Sequence, residues 1–466
     1  MAAPLTLLTP KAPFGKNGEP FVSTTNACKL CAPLGASLAF RGLAGAVPFL
    51  HGSQGCATYM RRYIISHFRE PMDIASSALG EKQAVFGGGP NLKKGLLNVM
   101  KKYAPAVIGV ATTCLTETIG DDVPRILAEF HKEFGDLPLP EIVWVSTPSY
   151  SGTHMEGFHA AVRATAEQLC TAKAPAFAGV NVFPGMVSVT DLRLLRAACE
   201  DFGLEAVILP DYADTLDAPA LEDYETIPAG GTPVSAVRAM SGARGSLELG
   251  RTQEALDTAG KHLAKRFGVA RFGLGAPIGL RESDAFYDAL AELSGRDMPA
   301  HLCAQRGRLV DALVDGHKYV SGKRAVVYGE EDMVVGLTAF LAEIGVQPVL
   351  VATGGAGRGF AQAVSQVCSG LTRETPRIRE DVDFHDIAAE AKDLAPDFLI
   401  GNSKGFRYAR EWGIPLVRAG FPIHDRFGGS RIPHVLYTGA QHLYDTVVNT
   451  LIEQKQNSTD IGYGYI

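Results

Sequence analysis

Short, wholly apolar runs alternate along this chain with longer amphipathic stretches. Residues 46–56, AVPFLHGSQGC, read as a short buried strand running into a Gly-rich loop. Residues 106–114, AVIGVATTC, are apolar until their last polar positions, and EIVWVSTPSYSG at 141–152 repeats the pattern. Strands that are apolar at every position are covered on both faces, which is the signature of a parallel sheet. Between them, NLKKGLLNVMKKY at 91–103 sets its lysines on the outer face of a helix. The stretch GDDVPRILAEFHKEF at 120–134 opens a helix with acids in the first turn, where the dipole favours them. HMEGFHAAVRATAEQLC at 154–170 reads as the next helix, and LGASLAFRGL at 34–43 as one built of small residues.

This rhythm restarts twice. AGVNVFPG near 178 leads to the helix DLRLLRAACEDFG and the strand LEAVILP. RAVVYGEEDMVVGLTAFLAEIGVQPVLVATGG, from 324, leads to DFLIGNS, KGFRYAREWG and IPLVRAG. Residues 240–320 read as mainly helical. The expectation is an α/β chain of three Rossmann-like doubly wound domains, with parallel sheets flanked by helices. The division is an N-terminal arm at 1–25 and domains at 26–177, 178–320 and 321–466, the arm lying on a surface or a partner chain.

Bulk properties narrow the class. A chain of 466 residues exceeds one compact core. Its net charge of −6, without a basic block, argues against nucleic acid as a partner. No run of about eighteen apolar residues exists to cross a membrane, and the start lacks a signal-peptide pattern. A cytoplasmic protein is expected. Eight cysteines are too few for a disulfide scaffold. Cys170, Cys199, Cys303 and Cys368 lie on helical or apolar stretches and read as inert core residues. Cys28, Cys31, Cys56 and Cys114 sit at turns or strand ends. Cys56, Cys114 and Ser149 each follow a predicted strand of one domain, where open α/β sheets bind ligands. Thiolates from distant segments that meet this way can hold an iron–sulfur cluster, although their spacing alone also fits unrelated positions.

Longer motifs sharpen the reading. Leu50-His51-Gly52-Ser53-Gln54-Gly55-Cys56, Ser66-His67-Phe68-Arg69-Glu70-Pro71, Val85-Phe86-Gly87-Gly88, Thr112 through Asp122, and Thr147 through His154 occur in one order. Together they resemble the β-type subunit of the nitrogenase component 1 family. The resemblance continues through Asn181–Gly185, Gly322–Arg324, Gly401–Gly405 and Arg418–Pro422. It implies an [8Fe-7S] P-cluster shared with an α-type subunit, with Cys31, Cys56 and Cys114 as ligands from this side. Ser149 matches a serine that can ligate the oxidised cluster. It also implies an α2β2 heterotetramer, an ATP-dependent homodimeric iron protein that docks near Phe86, and an iron–sulfur metallocofactor on the α-type partner. Substrate reduction then occurs on that partner.

A lone cation between β-type subunits is implied at Glu70 with Asp311 and Asp315. The two aspartates lie i, i+4 on one helix face, for which a solvated acidic face is the competing account. Ordinary packing competes likewise for Phe86. His51 and His67 read as hydrogen-bonded structural histidines, and Cys28, which forms a CxxC with Cys31, reads as structural or as an alternative ligand. Three branches stay open: a catalytic nitrogenase subunit, a nitrogenase-like reductase of another substrate, and a cofactor scaffold. The complete ligand set favours an electron-transferring subunit of a nitrogenase-like reductase, with the methylthio-alkane reductase type preferred over the nitrogenase type. The short arm and the LIGNSKGFRYAREWG region lean toward a NifN-type scaffold for iron–molybdenum cofactor assembly, with a simpler [4Fe-4S] cluster. A nucleotide-binding reading of Gly354–Gly359 lacks the G-x-G-x-x-G frame.

Overall fold

The computed structural model describes residues 29–459 except 221, 224, 357 and 358. The expected arm and Cys28 lie outside the described residues. Three parallel sheets organise the chain. The first holds β1 (Ala46–His51), β2 (Ala75–Ser76), β3 (Val107–Thr112) and β4 (Glu141–Val145), in the order β2-β1-β3-β4. All of its pairings are parallel.

Side chains along β1 and β3 alternate between two helical layers. Val47, Phe49, Ile108 and Val110 join the core that holds Leu92, Leu96, Ile126 and Phe130. These last four belong to α4 (Gly89–Tyr103) and α6 (Val123–Phe134). Ala46, Leu50, Val107 and Ala111 join Leu34, Leu38, Phe158 and Ala161. Those belong to α1 (Ala32–Arg41) and α7 (His154–Leu169). Both faces are therefore buried, as the unbroken apolar runs require.

The second sheet is β5 (Gly179–Phe183), β6 (Glu205–Ile208), β7 (Gly245–Leu249) and β8 (Ala270–Leu274), ordered β6-β5-β7-β8. Its last two strands fall inside the stretch expected to be mainly helical. The pattern is masked there because Glu248 is buried on β7, paired with Arg271 of β8 at 2.5 Å and accepting from Thr258 Oγ1. An ion pair thus occupies positions that an apolar pair would have revealed. The third sheet is β9 (Arg324–Gly329), β10 (Gln347–Thr353), β11 (Arg377–Arg379), β12 (Phe398–Gly401) and β13 (Leu416–Arg418), ordered β11-β10-β9-β12-β13.

Each sheet falls within one of the three divisions 26–177, 178–320 and 321–466, which we propose as domains. The final helix, Leu436–Asn457, returns to pack on the helix Ala300–Val320. After β10 the backbone of Gly355 runs so close to Glu331 that an added Cβ would lie 2.0 Å from its carboxylate oxygen. An acid at that point is a poor neighbour for a phosphate.

Candidate metal centre

The chain leaves β1 and β3 side by side. His51 is level with Thr112 in the register, and the connections then diverge, β1 toward β2 and β3 toward β4. Such a divergence opens a crevice beyond the strand ends. Cys56 and Cys114 both stand there. Cys56 is the third residue of α2 (Gln54–Phe68), and Cys114 is the first of α5 (Cys114–Ile119).

Cys31 arrives by another route. It caps the N-terminus of α1 and forms an antiparallel bridge with Thr153, the N-cap of α7. The two helices cross in backbone contact. A Cβ on Gly35 would sit 1.6 Å from the His154 carbonyl oxygen, and one on Gly157 would sit 1.9 Å from that of Ala32. His154 N–H donates to the Leu30 carbonyl at 2.9 Å. This crossing brings Cys31 to the loop after β4, where Ser149 Oγ accepts from Ala32 N–H at 3.1 Å. Ser149 N–H in turn donates to Cys114 Sγ at 3.3 Å.

All three thiols therefore lie in the first turn of a helix, where free N–H groups favour anionic sulfur. Each is half-buried. Burial pushes the Cys31 thiol up, its hydrogen bond with Ser149 opposes that, and Cys114 and Cys56 raise it further by charge. A cationic core would relieve the mutual repulsion of three sulfurs that bound it as thiolates. Among the described residues, the side-chain trio whose ligand atoms close to within 4.8 Å is Asp383, His385 and Asp386. That exposed trio is a helix cap, with Asp383 accepting from the N–H groups of His385 and Asp386. The three thiols lie close enough for Cys56 and Cys114 to act on Cys31 by charge.

The other expected residues are dispersed. Glu70 is half-buried after α2, whereas Asp311 and Asp315 are exposed on the helix Ala300–Val320. Within the described residues of one chain, these three form no ligand trio. Phe86 is 78% exposed and Val85 77% at the end of α3 (Glu81–Phe86), a helix with no buried residue. His67 is buried, its Nδ1 accepting from Ile423 N–H at 2.9 Å; burial pushes it down to about 3. Cys170, Cys199 and Cys368 are buried, but Cys303 is exposed, because its helix turns that face to solvent.

Sequence reasoning missed Glu117, and it read His51 as a hydrogen-bonded structural histidine without its partners. Glu117 accepts from Thr112 Oγ1 at 2.5 Å and Ser146 Oγ at 2.6 Å, tying together the ends of β3 and β4. His51 is fully buried between Ser77 Oγ at 2.9 Å and Asp121 Oδ2 at 3.1 Å. The acids in GDD were legible only as helix-start residues; Asp122 caps that helix, but the histidine partner of Asp121 lies 70 positions earlier.

Known proteins align with this geometry. The sequence profile of the nitrogenase component 1 type oxidoreductases matches residues 31–452. The nitrogenase molybdenum-iron protein beta chain of Clostridium pasteurianum is 34% identical over 430 residues, covering 92% of this chain and 93% of that protein. Its counterpart from Methanothermobacter thermautotrophicus is 36% identical over 434 residues, covering 91% and 93%. A solved chain of nitrogenase Cp1 at pH 6.5 superimposes with a TM-score of 0.92 at 32% identity, covering 98% of this chain and 99% of that one. A chain of nitrogenase Cp1 at pH 5 shares the fold, with a TM-score of 0.68 at 16% identity over 95% of this chain and 92% of the other. With three parallel-sheet units and matches over nearly its full length, this chain belongs to the nitrogenase component 1 type oxidoreductases, as a β-type subunit.

Proposed function

We propose that this chain is the electron-relaying β-type subunit of a nitrogenase-like reductase. Cys31, Cys56 and Cys114 would hold one side of an [8Fe-7S] P-cluster shared with an α-type partner, and Ser149 would offer an oxygen to its oxidised form. The observation that carries the reading is the convergence of three half-buried thiols from three helix N-termini on one face, beside a serine that bonds to two of their segments. When bound, such a cluster supplies a centre that takes up and releases electrons. The chain's own part is to place the sulfurs, to direct N–H groups at them, and to leave their outer side open for the partner.

In this reading the exposed Val85–Phe86 turn receives an ATP-dependent homodimeric iron protein. Glu70 of one copy, with Asp311 and Asp315 of another, would hold a cation at the β–β contact of an α2β2 assembly. The metallocofactor and the substrate, dinitrogen or a methylthio-alkane, would sit on the α-type partner. A cytoplasmic setting would keep the thiols reduced; among the described residues, no helix is long and apolar enough to cross a membrane. The relatives are beta chains of a molybdenum-iron nitrogenase. That supports the reductase over the NifN-type scaffold.

The test is iron counting and EPR on the complex purified anaerobically with its α-type partner. An oxidised [8Fe-7S] signal is expected, and Cys56→Ala or Cys114→Ala should lose it together with partner-driven electron flow. A lone [4Fe-4S] signal, with cofactor transfer to an apo-enzyme, would point to the scaffold instead. Full iron content and activity in either variant would refute both.

A further inference from the structure

The exposed turn at Val85–Phe86 and the segments carrying Cys56 and Cys114 are joined by one line of hydrogen bonds. Gly88 N–H donates to Asp121, 3.0 Å from each carboxylate oxygen. Asp121 Oδ2 lies 3.1 Å from His51 Nε2, and His51 Nδ1 lies 2.9 Å from Ser77 Oγ. Ser77 Oγ accepts from Gly52 N–H at 2.9 Å. A carboxylate can only accept, so the Nε2 proton points at Asp121 and Nδ1 accepts from Ser77. Every donor in the line then points toward Asp121. The backbone carbonyl of His51 also accepts from Thr113 N–H at 3.1 Å and Thr116 Oγ1 at 2.9 Å, which grips the start of α5.

Little slack exists along this line. The His51 side chain is 0% exposed and that of Asp121 8%. A Cβ on Gly88 would lie 2.5 Å from Asp121 Oδ2 and 2.8 Å from His51 Cε1. One on Gly52 would lie 2.1 Å from Thr113 Oγ1. Helix α3 buries no residue, so the turn that follows it is held at Gly88, by the bond to Asp121 and by the start of α4, whose Leu92 N–H donates to the Gly88 carbonyl at 3.0 Å. Drawing Gly88 away would leave a nearly buried carboxylate short of a donor, which is costly. A shift that moved Gly88 would therefore act on Asp121 and, through it, on His51.

We propose that Asp121 and His51 are positioning residues, through which a protein seated on the Val85–Phe86 turn sets the placement of Cys56 and Cys114 and thereby the rate of electron entry. This rests on the docking reading given above and adds the route by which docking is felt.

The test uses the cluster-loaded α/β complex, its iron protein with ATP, and a small chemical reductant. Asp121→Asn should keep iron content and the resting EPR spectrum. It should slow electron transfer from the docked iron protein about two- to thirtyfold, while reduction by the small reductant keeps its rate. Ser77→Ala cuts the line beyond His51 and should act in the same direction; it decides the matter if Asp121→Asn loses its iron. Wild-type transfer rates in these variants, or equal slowing with both reductants, would overturn the relay. Phe86→Ala separates the two readings. If it weakens iron-protein binding while Asp121→Asn transfers normally, docking stands and the relay falls. If it leaves binding unchanged, the docking reading fails and the relay with it.

Discussion

Ser149 is held from both ends. Its hydroxyl accepts from Ala32 N–H beside Cys31, and its own N–H donates to Cys114 Sγ. Replacing it by alanine keeps the second bond and removes the first, together with a hydroxyl oxygen beside the Cys31 and Cys114 segments. Ser149→Ala is expected to lower the stability of the isolated chain by about 1 kcal/mol, the worth of one hydrogen bond, measured as a shift in its urea midpoint. In the loaded complex the reduced EPR spectrum should be unchanged and the oxidised one altered. An unaltered oxidised spectrum would remove Ser149 from the ligand set. The residue was legible in the sequence as a turn position after Pro148. Its bonds to segments 117 and 35 positions away were not, because hydrogen bonds across a fold leave no local pattern.

At the scale of elements, the α1–α7 crossing decides where Cys31 lies. The glycines at its contact have no room for a methyl group. Gly35→Ala should force the helices apart and destabilise the chain by about 3 kcal/mol, the upper part of the overpacking range. Because Cys31 caps α1, the same variant should lose cluster iron out of proportion to its stability. Urea unfolding and iron analysis of one preparation check both. The helices themselves were readable from periodicity, and β1, β3 and β4 from their apolar runs. β7 was missed because Glu248 and Arg271 satisfy each other inside the sheet, so its pattern is polar where a strand is expected to be apolar. Short α3, with no buried side chain, has no amphipathic signal at all.

Across the whole molecule, buried histidines join distant parts of the chain. His67 accepts from Ile423 N–H 356 positions away, and His434 meets Asp191 across 243. Burial pushes down His51, His67, His154, His159, His262 and His424. His154 and His159 fall to about 4. A lowered histidine stabilises the fold above its ordinary value of 6.5, and that stability is lost as pH falls toward the folded value. Glu330, Asp332 and Glu343 are raised, first by burial, Asp332 to about 6. Their contribution has the opposite sign: it is present at low pH and lost as pH rises through the folded value. The histidine contribution is lost between pH 6.5 and 4.5, which lowers the urea midpoint over that range, and the acids oppose the fall. His67→Asn should flatten that fall by up to about 1.4 kcal/mol per pH unit. At the same scale, the proposed β–β cation contact predicts that Asp311→Asn with Asp315→Asn leaves the subunit fold intact and shifts the proposed α2β2 assembly toward αβ, read by size-exclusion chromatography. A tetramer that persists in the double variant would take the cation away from these residues.

The sequence by itself determined the three parallel α/β units, the motifs that place the chain in its family, and which cysteines stand at strand ends. These are local properties: apolar runs, helix starts and short ordered motifs that need no partner elsewhere. Only the tertiary structure decided which of those ends meet. The β1–β3 register levels the strand ends that lead to Cys56 and Cys114, and backbone contact between α1 and α7 brings Cys31 to Ser149. It also decided that Asp121 and His51, unrelated in the sequence, share a nearly buried pair. The physical reason is the same in each case. Close packing and buried hydrogen bonds depend on distances in space, and a linear pattern of residue types carries those distances only where neighbours in space are also neighbours along the chain.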